Sequence, residues 1–241
     1  MVGMINTFVS NQATNMPAVE SRQPAGKASV GEASVAVEQP VTSSSVSTLA
    51  RQLSDAARRA ELRDSTLGYK ELGEKAKSIV NSIVGEEYHA IKAKHRAEVP
   101  ATEDEHLLAR ARQATAYLLG TMSNPFKGLS RDQLALITYD EGGDFTVDER
   151  AAAWGEAYDQ EQAWRLAAIQ KASAEYEATG AYTSFFEAVL SHYEGLPAIE
   201  RAQYPKDYAD DLRQKTSTGT DYKFDDLEGL IMEVFPRLDK S

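Results

Sequence analysis

From Val46 onward, apolar positions recur at intervals of three and four, the spacing that puts side chains on one face of an α-helix. Val46, Leu49, Leu53, Ala56, Ala57 and Ala60 predict an amphipathic helix over 46–63. Tyr69, Leu72, Ala76, Ile79, Val80, Ile83, Val84, Tyr88 and Ile91 continue one face, which predicts a single longer helix over about 68–97, stopped by Pro100 and Ala101. Thr102 with Glu105 reads as a capping box opening a third helix that carries Leu107, Leu108, Ala111, Ala114 and Leu118, with Gly120 as its C-cap. Residues 46–122 are therefore expected to form a helical hairpin with one extra helix.

The remainder, 123–241, follows the same rules. After the loop 124–129, Ser130 and Gln133 form a capping box before a short helix with Leu134, Leu136 and Ile137. A glycine-rich acidic turn occupies 140–145, and Thr146 with Glu149 caps a long helix through Trp154, Tyr158, Trp164, Ala168 and Ala172 to about Thr179, where Gly180 ends it. The apolar face of this helix is less regular than the others. Shorter helices are expected at about 184–194, 197–214 (broken at Pro205) and 224–236, with Lys215–Thr220 as a flexible link. No run alternates with period two and no segment repeats, so the fold class is all-α. Residues 46–241 either form one domain or divide near residue 122.

The first 45 residues break this pattern. They are rich in Ser, Ala, Val and Gln, have no Tyr or Trp, and hold few large apolar residues beyond Ile5 and Phe8. Such a stretch buries too little apolar area to offset the entropy of ordering, which predicts a disordered tail. No basic region precedes a continuous apolar run, unlike a cleaved secretory signal, and the basic residues Arg22 and Lys27 are too few for a mitochondrial presequence.

Charge adds an asymmetry. The 241 residues carry a net −11, and essentially all of it falls in 123–241, because 1–45 carries −1 and 46–122 carries +1. That excess argues against nucleic acid or an anionic membrane as the main partner, and it suits a basic protein partner. No apolar run approaches the roughly 18 residues of a membrane span. The absence of cysteine removes disulfides, thiolate-bound zinc, iron–sulfur clusters and thiol catalysis.

The segment Asn124–Trp154, the stretch Gln160–Trp164 and the Ser/Val-rich entry into Leu49–Ser54 resemble a group of uncharacterised bacterial proteins with no assigned activity. The likeness extends over most of 45–215 and implies a bacterial origin without implying a mechanism.

The acidic turn is the foremost candidate for chemistry. Set on an EF-hand loop beginning at Asp140, it offers oxygen ligands from Asp140, Asp144 and Asp148, with Thr146 contributing a backbone carbonyl and Val147 at the aliphatic position. It lacks a ligand at Gly142, the turn glycine at Phe145 and the bidentate glutamate at Ala151, although Glu149 lies near enough in sequence to supply an oxygen. These four residues, Asp140, Asp144, Asp148 and Glu149, form the candidate calcium site. The alternative is that Asp148 and Glu149 simply favour the dipole of the helix they open, with no cofactor bound.

Two Glu-x-x-His motifs, Glu86/His89 and Glu103/His106, match the pattern that lines di-iron bundles. In a hairpin closing near Pro100 they are offset by roughly 8 Å along the axis, and His95 lies closer to level with His106. Glu86, His89, His95 and His106 thus define an alternative metal-dependent enzyme. Motifs for serine nucleophiles, phosphate-binding glycine loops and zinc proteases are absent.

The aromatic residues concentrate after Trp154 and fit either a core around the long helix or a groove for a partner helix. The first helix, with Arg51, Arg58, Arg59 and Arg63, complements the acidic half and is a candidate to fill such a groove in cis. The leading expectation is a non-enzymatic helical interaction protein. It is either cytoplasmic or exported as an effector through its tail, since Ser-rich composition with no acid before Glu20 is similar to type III secretion signals.

Overall fold

The computed structural model describes residues 41–218 and 234–235, with side chains from residue 48 onward. Among them are helices and no strand: α1 (Val41–Thr66), α2 (Tyr69–Val84), α3 (Glu86–Arg96), α4 (Glu105–Leu118), α5 (Arg131–Thr138), α6 (Val147–Thr179), α7 (Thr183–Glu194), α8 (Ala198–Arg201) and α9 (Tyr208–Thr218). The chain is all-α, as its spacing predicts. The expected tail lies outside the described residues up to residue 40, and α1 begins at Val41, five residues before the predicted start at 46. Most of the expected helix 224–236 also lies outside them.

Two capping boxes hold as written, at Ser130/Gln133 and at Thr146/Glu149. A third does not. Thr102 turns its hydroxyl to the backbone N–H of Asp104 (3.1 Å), and Asp104 is the residue that caps α4, accepting from the N–H of His106 at 2.9 Å. The predicted helix 68–97 is broken at Gly85, where the backbone is extended (φ −88°, ψ −160°). Asn81 makes that break favourable. Its carbonyl accepts from Gly85 N–H (3.0 Å), the last regular bond of α2, and its side chain accepts from Glu86 N–H (3.1 Å), which answers the donor that the break frees.

Three apolar cores share α6, which is 33 residues long. The first gathers Ala56 of α1, Ala114 of α4, Phe126, Leu134 and Ile137 of α5, Phe145, and Ala152, Ala153 and Ala157 of α6. A second joins Leu72, Ala76, Ile79 and Ile83 of α2 to Ala135, Tyr139, Ala151 and Ile199. The third is aromatic: Tyr182, Phe185, Phe186, Tyr193, Tyr208 and Phe235 close on Ala168 and Ala172. Two of the three draw residues from both sides of position 122, so 46–122 and 123–218 share cores. No helix among the described residues is long and apolar enough to cross a membrane.

Candidate functional site

One face of α1, stepping through Leu49, Gln52, Leu53, Ala56, Arg59 and Arg63, lies along a groove formed by α5, the start of α6, Phe126 and Phe145. The apolar members lie on the first core, with Ala56 buried and Leu49 and Leu53 packed beside it. The polar members interleave with them. Gln52 donates to the backbone carbonyl of Asp144 (2.8 Å) and accepts from Arg110 (2.9 Å), whose guanidinium also lies over the rings of Phe126 and Phe145 at 5.6 and 5.2 Å. Arg63 donates to the carbonyl of Tyr139 at 3.2 Å and Arg150 to that of Thr138 at 3.1 Å. Both cations therefore sit where α5 presents its unpaired C-terminal carbonyls, the end that favours positive charge.

Arg59 sits at the centre of the polar contacts. Its Nε donates to Asp140 at 2.7 Å and its Nη2 to Asp144. The hydrogen bond to Asp140, opposed by partial burial and reinforced by Asp144, raises the guanidinium above its ordinary value. The turn is shaped for this group. A Cβ on Gly142 would lie 2.3 Å from both Cζ and Nε of Arg59, closer than carbon atoms approach, so any larger residue there would make the guanidinium shift from this position. The Asp140 carboxylate also accepts from the N–H of Gly142 (3.1 Å), which fixes its direction.

Of the four candidate calcium ligands, the structure brings two together. Asp140 and Asp144 converge on Arg59, and the cation between them is its guanidinium. Asp148, 1% exposed, accepts instead from the hydroxyls of Tyr88 (3.0 Å) and Thr115 (2.7 Å). Burial, and then the Asp148 carboxylate, push the Tyr88 phenol up. Glu149 is fully buried, pairing with Arg110 at 2.7 Å and closing the capping box on the Thr146 N–H at 2.8 Å. The histidines of the other candidate site are spread around Tyr88: His95 stacks on its ring at 5.3 Å, His89 meets it edge-on at 5.5 Å, and His106 lies in the first turn of α4. Among the described residues, no three His, Asp or Glu side chains are grouped to hold a metal ion.

A second polar cluster has no counterpart in the sequence reading. Arg131 of α5 donates through Nε to Glu200 of α8 (2.7 Å) and through Nη1 to the carbonyl of Ala157 (3.0 Å), with Glu161 of α6 at 3.3 Å. Glu161, 1% exposed, also holds Arg165 (2.7 Å) and His192 of α7 (2.9 Å). His192 stacks on Trp164 with ring centroids 3.6 Å apart, and Arg165 covers Phe235 at 4.8 Å. Burial alone raises the Glu161 carboxyl, but the hydrogen bonds from His192 and Arg165 more than reverse this and take it down to about 2. At Glu200 burial prevails over the pull of Arg131, and its carboxyl is raised. The cluster ties four helices together inside the protein. Only Glu161 and Arg165, four apart on α6, leave a trace in the sequence.

No family model matches the chain, and no curated protein or solved structure is similar to it.

Proposed function

We propose that this protein is a helical interaction module of the helix-in-groove type, with α1 as the resident helix and the acidic turn as an arginine receptor. One observation carries the reading: the Arg59 guanidinium, held by Asp140 and Asp144, enters a turn whose Gly142 leaves no room for a Cβ. The residues that line up with it, Leu49, Leu53 and Ala56, supply the i, i+4, i+7 anchors by which an amphipathic helix is read in a groove. A partner of this kind is a basic amphipathic helix, in keeping with the negative charge of the half that receives it.

The test uses the full chain and a labelled peptide spanning residues 46–66. In the wild type the resident helix occupies the groove and the peptide stays free. In Leu53→Glu/Arg59→Glu the resident helix is disabled, and the peptide binds with a dissociation constant on the order of micromolar. Adding Asp140→Lys and Asp144→Lys to that variant removes the binding. A double variant that keeps its helical circular dichroism yet ignores the peptide shows that the groove accepts α1 only as part of the fold, and the reading is then wrong.

A further inference from the structure

Apart from the α1 groove, the start of α2 and the segment between α8 and α9 enclose an open-sided cavity of about 950 Å³. This volume is within the usual range for a small-molecule site. One wall is Tyr69, Lys70, Gly73, Glu74 and Lys77, and the other is Ala202–Lys206. The walls are tied together rather than merely adjacent. The Tyr69 hydroxyl donates to the carbonyl of Arg201 at 2.6 Å and lies 3.0 Å from that of Tyr204, while a Cβ on Gly73 would come within 2.3 Å of the Ala202 carbonyl oxygen. Such a cavity exists before any ligand arrives, which lowers the ordering cost of binding.

Its lining combines flat apolar surface with unanswered positive charge. Tyr69, Tyr204 and Pro205 supply the apolar part. Among the charged groups, the Glu71 carboxylate accepts the N–H of Gly68 (2.9 Å) and lies at the mouth of α2, and Lys70 and Glu74 lie 3.7 Å apart. Lys77 and Lys206 make no hydrogen bond or ion pair among the described residues. Among the described residues, two exposed ammonium groups are thus left unpaired beside the apolar part of the hollow, in a chain whose net charge is −11.

We propose that this cavity is a binding site for a small amphiphilic anion, an acyl or aryl carboxylate, with its acid on Lys77 and Lys206 and its apolar body against Tyr69, Tyr204 and Pro205. Charge selects the head and the tyrosine-lined wall selects the body, so neither a bare anion nor an apolar amine satisfies both.

The experiment titrates the full-length protein with octanoate, octylammonium and acetate, following the backbone amide resonances of 68–77 and 202–206. Octanoate is expected to shift them with a dissociation constant on the order of 0.1 mM, acetate and octylammonium at least about tenfold more weakly. Lys77→Glu/Lys206→Glu, which changes two exposed side chains, is expected to weaken octanoate about tenfold or more. Equal binding of octylammonium, unchanged octanoate binding by the double variant, or no shift at about 10 mM octanoate each overturns the proposal.

Discussion

Arg59 and Gly142 form a close interlock between the two halves of the chain, and a double-mutant cycle measures it. Gly142→Ala places a methyl 2.3 Å from the guanidinium carbon and expels the side chain from between Asp140 and Asp144. In urea titrations it is expected to cost about 1–3 kcal/mol in the wild type. In an Arg59→Ala background the same change meets nothing and is neutral or slightly stabilising, because alanine restricts the unfolded chain. Equal effects in both backgrounds would show that the glycine serves the backbone and not the arginine. Glu161 gives the second prediction at this scale. Its carboxyl lies at about 2, below the ordinary carboxylate value of 4.5, so it contributes stability at pH values above 4.5 that is lost as pH falls toward 2. Linkage gives this contribution as about 3 kcal/mol. Glu161→Gln should therefore melt well below the wild type at pH 7, with the gap closing between pH 4.5 and 2, whereas a gap that stays constant with pH would mean that the carboxylate charge is not what the cluster uses. Glu200 has the opposite sign, its raised carboxyl costing stability at neutral pH and less as acid protonates it. The sequence made Asp140 and Asp144 visible through their density of acid on a glycine turn. It did not show what they hold, because Arg59 is 81 residues from one and 85 from the other.

At the scale of the elements, periodicity identified helices wherever one face meets one core. It weakened where a helix serves several. The buried side of α6 reads Asp148, Glu149, Ala151, Ala152, Ala153, Ala157, Glu161, Arg165, Ala168 and Ala172, so charged and small residues occupy positions a hydrophobic count expects to be large and apolar. That is why its apolar face looks irregular. Each of its four buried charges has a partner on another helix or within its own turn: Tyr88 and Thr115 for Asp148, Arg110 for Glu149, and Arg131 and His192 for the Glu161–Arg165 pair. Alanines let neighbouring backbones close on the helix while the charges are paired, the condition under which ionised groups are tolerated in a core. The same logic explains the break at Gly85. An unbroken apolar face from Tyr69 to Ile91 hides a residue whose backbone is extended, and only the asparagine four positions earlier, whose side chain accepts the Glu86 N–H, hints at it. The cavity belongs to the class of feature that patterns miss, since Lys77 and Lys206 come to line one hollow only after α2 is packed against Ala202 at Gly73.

Among the described residues, α6 acts as a spine touched by all three cores, while α1 contributes to the first and, from Thr48 onward, buries one residue, Ala56, beyond nine-tenths. Local stability follows such differences, because a segment opens at a free energy set by what it alone buries. Two half-buried leucines and Ala56 are worth a few kcal/mol together, on the order of 1.5–3 kcal/mol for each fully covered large side chain. The remaining hold on α1 is polar and lies partly at the surface, where added salt weakens it. Native-state hydrogen exchange on the full chain should therefore find α1 opening as a unit, well before the amides of α5 and the first half of α6. Arg59→Ala should speed exchange across α1 and leave α7 and α9 unchanged, and raising the salt should act on the wild type in the same direction and by less. That outcome is what a resident helix displaced by a competing partner requires. If α1 instead exchanges only with α6, at the global rate and insensitive to Arg59, the groove and its helix form one cooperative core, and no partner of moderate affinity will open it.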